Sequence, residues 1–122
     1  MLRAMATVSQ ILTGLVAFLH VYFLVLEMFL WTTPFGQKTF KRTAQQQLET
    51  KSLAQNQGLY NGFLAAGLVW SYFGSNAFEL RVFFLACIVI AGIYGAATAA
   101  KQILFIQALP AAAALTATLL AR

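Results

Sequence analysis

Charge is what this chain has least of. Only 9% of its 122 residues are Asp, Glu, Lys or Arg, against about 25% in an average soluble domain. Hydrophobic residues make up 61%. A soluble domain of this length keeps much of its area in water and lacks an interior large enough to hide that apolar share. A soluble fold is therefore excluded, and lipid is the cover that remains. Cysteine is nearly missing too: Cys87 stands alone inside an apolar run, which excludes an internal disulfide and a metal cluster. No nucleophile–base motif, cofactor loop or metal spacing is present, so no cofactor is expected. The net charge of +5 would point to nucleic acid in a polar protein. Here the few basic residues sit mainly between apolar runs, where membrane proteins use them to hold orientation. The expected partner is the lipid bilayer, with no nucleic acid.

What is present is a series of long apolar runs. A spanning helix needs about 20 mostly apolar residues, and four segments fit: 8–31, 54–73, 82–100 and 103–121. They predict an all-α, single-domain chain, a four-helix transmembrane bundle over 1–122. Arg3 precedes the first run as in a signal peptide, but the run is too long for one and no small-residue cleavage site follows, so a retained helix is expected. The second run starts polar, with Gln55, Asn56 and Gln57. Only Lys101 and Gln102 part the third run from the fourth, and Pro110 is tolerated inside the fourth, as prolines are in membrane helices. A short turn at 74–80 joins the second and third.

One long polar connection, 32–53, opens on the turn-forming Thr33-Pro34-Phe35-Gly36. It carries Lys38, Lys41, Arg42 and Lys51 with Phe40, Leu48 and Leu53 between them. Both an amphipathic helix resting on the headgroups and a solvated basic loop fit that pattern. Those four cations and Lys101 share one side of the membrane, against Arg3, Arg81 and Arg122 on the other. The excess favours a cytoplasmic long loop and external termini.

Ionisable groups within the runs are costly, roughly 2.5–3.5 kcal/mol at a helix centre on insertion scales, and usually face a cavity or a partner. With His20 at zero, Glu27 falls about 20° away and about 10.5 Å further along the helix. Ser9, Thr13 and Trp31 lie within about 20° of the same line, so the first helix carries one polar stripe. On the second helix Asn56, Tyr60, Gly67 and Ser71 share a face, with Gln57 and Asn61 flanking it about 100° to 140° round. Gly58, Gly62, Ala65 and Ala66 form a small-residue surface on the other side, suited to close packing. The third helix adds a stripe of Cys87, Tyr94, Thr98 and Lys101, and the fourth contributes Gln107. Alternating helix direction puts Glu27, Trp31, Asn56, Gln57, Asn61, Tyr94, Lys101 and Gln107 towards the long loop, with His20 near mid-membrane. A polar pocket narrowing towards His20 is the expectation. His20 and Glu27 are its acid/base candidates, and Trp31, Asn56, Gln57, Tyr60, Asn61, Tyr94 and Lys101 its ligand-binding candidates. Plainer roles exist for each. Glu27 can neutralise Lys101, His20 can bond helix to helix, Asn56, Gln57 and Asn61 can be polar glue, and Trp31 and Tyr60 can be aromatic-belt residues. His20 and Glu27 cannot chelate a metal by themselves at about 10.5 Å axial separation.

The stretch Val25-Leu26-Glu27-Met28-Phe29-Leu30-Trp31-Thr32-Thr33-Pro34, following His20, and the stretch Asn56-Gln57-Gly58-Leu59-Tyr60-Asn61-Gly62-Phe63-Leu64-Ala65-Ala66-Gly67 resemble the signature stretches of a bacterial membrane family, domain of unknown function 1304. The resemblance covers nearly the whole chain. It implies a four-helix integral protein of the bacterial inner membrane and supplies no activity, substrate or partner.

Three functions compete. The first is binding of, or acid–base action on, a small apolar or amphipathic molecule by His20 and Glu27. The second is a proton-coupled small-molecule transporter working as a homodimer, which the chain's size and first-helix glutamate allow. The third is an accessory or structural subunit whose polar stripes hold a partner helix.

Overall fold

The computed structural model describes residues 1–122 and is helical throughout. Six α-helices follow in order: α1 Leu2–Met28, α2 Pro34–Phe40, α3 Ala44–Glu49, α4 Lys51–Trp70, α5 Ala77–Thr98 and α6 Leu109–Ala121. A π-helical segment, Leu104–Ala108, leads into α6. Proline at 110 accounts for it. The pyrrolidine ring supplies no N–H and crowds the carbonyl four residues back, so the turn before it widens. Leu109 N–H accordingly reaches back to the carbonyl of Leu104.

Three helices are long and apolar enough to cross a membrane: Leu2–Met28, Ala77–Thr98 and Leu104–Ala121. Most of the surface of each lies outside the protein's own core. Aromatic and aliphatic side chains such as Phe18, Phe83, Ile90 and Phe105 stand exposed along them, which suits a lipid surround. The fourth expected span differs. α4 starts at Lys51, and its opening turns carry Ser52, Gln55, Asn56, Gln57 and Asn61; this polar half keeps it out of the apolar set.

Element ends move from the sequence-based expectation for local reasons. α1 stops at Met28, where Leu30 N–H bonds five residues back to Val25 O at 3.2 Å and Pro34 lies ahead. The connection 32–53 holds two short helices. Thr33 caps α2 by accepting from Gly36 N–H at 3.2 Å, with Pro34 in the first turn. Thr43 caps α3 through a reciprocal box, accepting from Gln46 N–H at 3.1 Å while Gln46 Oε1 accepts from Thr43 N–H at 3.0 Å.

The chain divides into two compact units, residues 19–65 and residues 1–18 with 66–122. In the second, small residues set the packing. Ala111, Ala114, Ala117 and Thr118 form the buried face of α6, and Leu85, Ile88 and Gly92 that of α5. At Gly92 an added Cβ would stand 2.7 Å from Ala108 Cβ and 2.8 Å from Ala108 N. Only glycine lets α5 come that close to the π-helical segment.

Candidate functional site

The unit 19–65 holds the strongest polar constellation. Its part of the inward stripe of α1 is buried, His20 at 1% and Glu27 at 6% exposure; Ser9 and Thr13, in the other unit, are buried as well. Glu27 is answered by α4. Gln57 Nε2 donates to Glu27 Oε2 at 2.7 Å, and Asn61 Nδ2 donates to Oε1 at 2.5 Å. Gln57 and Asn61 are four residues apart, one turn and about 6 Å of rise, so they present their amides on one face. Both carboxyl oxygens therefore receive a donor, which a buried carboxyl requires.

Two glycines make the reach short. A Cβ at Gly58 would meet Met28 Cγ at 2.6 Å, Glu27 Cβ at 3.1 Å and Leu24 O at 3.2 Å; one at Gly62 would meet Leu24 Cδ1 at 2.6 Å. The glycine surface of α4 and its Gln57/Asn61 pair thus turn to the same neighbour, α1. Each amide sits one residue before a glycine, about 100° round. Asn56 and Tyr60, expected to lead the polar face, are exposed.

His20 lies two turns before Glu27 on α1, its ring edge-on to Phe23 with centroids 5.1 Å apart and planes at 67°. At about 10.5 Å along the axis it does not touch the carboxyl. Trp31 is 8% exposed and serves the α2–α3 segment. Its indole N–H donates to Thr50 Oγ1 at 3.1 Å, and its carbonyl accepts from Gln47 Nε2 at 2.8 Å. Its ring packs on Phe40 at 4.6 Å between centroids and under the Arg42 guanidinium at 5.8 Å. These contacts make Trp31 an interior lock of this unit. Tyr94 and Lys101 belong to the other unit, and both are exposed. One open concavity is lined by Pro34, Lys38, Lys41 and Arg42 among others, and another by Met5, Leu109 and Leu120 among others. Neither includes His20 or Glu27.

A family model described as protein of unknown function (DUF1304) matches residues 14–119. The chain belongs to that family. The match spans both the Glu27 segment and the Gln57–Asn61 segment. The uncharacterized protein YpaA of Lactococcus lactis subsp. lactis (strain IL1403) is 33% identical over 107 residues, covering 84% of this chain and 89% of the relative. No solved structure matches. Membership in DUF1304 fixes kinship and brings no chemistry with it.

Two polar features escaped the sequence. Gln47, wholly buried with its Nε2 on Trp31 O, was one glutamine among several in a polar connection. Arg81 stood at the edge of an expected span beginning at 82, whereas α5 begins at Ala77 and takes it inside.

Proposed function

We propose that this protein of the DUF1304 family is a multi-pass protein of the bacterial inner membrane with four spans, α4 being the fourth. We infer that its Glu27–Gln57–Asn61 cluster binds the polar end of a small amphipathic molecule arriving from the bilayer. One observation carries the proposal: Glu27 is buried and held on both oxygens, while Gln57, which holds one of them, is itself exposed. Each carboxamide donates one N–H to the carboxyl and keeps a second N–H and an oxygen for a ligand. Asn56 and Tyr60 flank that open side on α4. α4 supports the four-span reading by length, since 20 residues make about 30 Å of helix, the thickness of the hydrocarbon core. Its polar opening then lies at the headgroup level beside the basic α2–α3 segment, on the cytoplasmic side by the excess of Lys and Arg there. Proton exchange, where the bound molecule undergoes it, falls to Glu27, with His20 as the deeper titratable group.

The test is thermal melting of purified protein in neutral detergent, wild type beside Glu27→Gln, with and without lipid extract from the host membrane. A component that raises the wild-type melting temperature, and whose effect vanishes in Glu27→Gln, bears the proposal out and is then identified by mass spectrometry. If no component acts and Glu27→Gln merely melts earlier, the cluster is a tie between helices, and a subunit role in assembly replaces ligand binding.

A further inference from the structure

The unit of residues 1–18 and 66–122 holds a cation that no carboxylate answers. Arg81 lies one turn inside α5 and is partly buried. Its Nε donates to Ser71 Oγ at 3.2 Å, one terminal nitrogen to Ser71 O at 3.2 Å, and the other to Ser9 Oγ at 3.3 Å. Its guanidinium carbon stands 4.6 Å from the centre of the Tyr72 ring. Every oxygen on it is neutral, and the bonds are longer than the 2.7–2.9 Å common to charge-assisted pairs.

The hydroxyls are committed as acceptors. Ser71 Oγ donates its proton to Leu68 O at 2.5 Å. Thr118 Oγ1 donates to Ala114 O at 2.7 Å, which leaves Ser9 Oγ to donate across their 2.6 Å contact. A guanidinium has five N–H donors; three are engaged here, and two remain. The setting is mostly cationic. Arg122 lies over the Phe78 ring at 4.2 Å, so the C-terminal end of α6 reaches the first turn of α5. The Ser9–Thr118 contact brings the start of α1, with Arg3, to the same end. Glu79, exposed, is the lone acidic side chain of this unit. The N-terminus of α5 adds partial positive charge.

Depth then selects the ligand. Arg81 is about 6 Å inside the start of α5, at the level where a bilayer keeps its headgroups, and Trp70, Phe73 and Phe83 are exposed nearby in sequence. We propose that Arg81, held in position by Ser9 and Ser71, receives a phosphate oxyanion on its two remaining N–H donors, with a phospholipid headgroup as the source that this apolar surround favours.

The experiment uses full-length protein in neutral detergent, wild type beside Arg81→Gln and Arg81→Lys. Melting and native mass spectrometry are recorded with phosphatidylglycerol, with diacylglycerol of the same chains, and with inorganic phosphate alone. Phosphatidylglycerol should stabilise the wild type and remain bound where diacylglycerol does not. Arg81→Gln should weaken it by about tenfold or more, the loss of a charge-assisted contact. Arg81→Lys keeps the charge without the fork and should fall between. Stabilisation by inorganic phosphate alone, lost in Arg81→Gln, supports the oxyanion site with an aqueous source. No effect from either phosphate compound overturns the proposal, as does undiminished binding by Arg81→Gln. Should Arg81→Gln not fold, undiminished binding by Arg81→Lys overturns it equally. Glu27→Gln should leave the phosphate response intact, so failure here and failure of the Glu27 proposal are separable.

Discussion

Replacing Asn61 by Leu leaves Glu27 Oε1 buried without its 2.5 Å donor, and the size of the loss follows from where that oxygen sits. A neutral hydrogen bond between helices in a bilayer is worth about 0.6 kcal/mol on average and at most about 1.7. A bond to an ionised group is worth about 1.5–3 kcal/mol. Removing one partner adds the cost of an unsatisfied buried acceptor, about 1–3 kcal/mol, whereas removing both partners can be nearly neutral. The expected outcome is that Asn61→Leu costs about 2 kcal/mol alone and little more than Glu27→Leu when the two are combined. The double-mutant cycle should then return a coupling of about 1–2 kcal/mol. Gln57→Leu should couple less strongly to Glu27, because Gln57 is exposed and water or headgroups replace its donor. Reversible unfolding by a denaturing detergent in mixed micelles measures all the variants. Additive losses, with both couplings below about 0.3 kcal/mol, would refute the claim that these amides hold the carboxyl.

Gly58→Ala and Gly62→Ala should differ in direction. The Cβ at 58 meets Glu27 Cβ and the Leu24 carbonyl, which cannot step aside, so overpacking of about 1–3 kcal/mol exceeds the roughly 1 kcal/mol gained in helix propensity. The Cβ at 62 meets only the tip of Leu24, which can turn away, so its melting temperature should stay level or rise. Equal losses at both positions would contradict the close approach at 58. Thr13→Val should be neutral or stabilising by about 1 kcal/mol, because the Thr13 hydroxyl is buried without a hydrogen-bond partner and its replacement has the same shape. A loss of more than about 1 kcal/mol on melting would show that the hydroxyl is bonded after all.

The legible part of the fold was its periodicity. Helical spacing put Ser9, Thr13, His20 and Glu27 on one line of α1, and all four are buried; a cost of burial that large leaves few alternatives to an inward face. Amphipathic pattern was less informative on α4. The Asn56 face and the glycine face read as opposite sides, with Gln57 and Asn61 flanking, and that pattern alone does not say which of them meets α1. Gln57 and Asn61 lie on the flank between the two, and the close approach at Gly58 and Gly62 brings both amides to Glu27. The short helices α2 and α3 depend on caps at Thr33 and Thr43 rather than on any apolar stripe, so hydropathy could not choose between helix and loop there.

Arg81 shows the remaining blind spot, and it is a physical one. Hydropathy marks where a chain turns apolar, whereas a helix begins where its first N–H groups find carbonyls, here with Leu80 N–H on Asn76 O. The difference between a span starting at 82 and a helix starting at Ala77 turns a loop cation into a cation within the helix. A loop arginine is solvated and needs nothing. One turn inside α5, the same side chain draws on Ser71, across the turn that joins α4 to α5, and on Ser9, far from it in sequence. Neither serine is unusual alone: Ser9 lay on the α1 stripe, and Ser71 sat beyond the polar half of α4. Their common purpose exists only once the ends of α1, α4 and α5 are brought to one place, and no local pattern encodes that meeting.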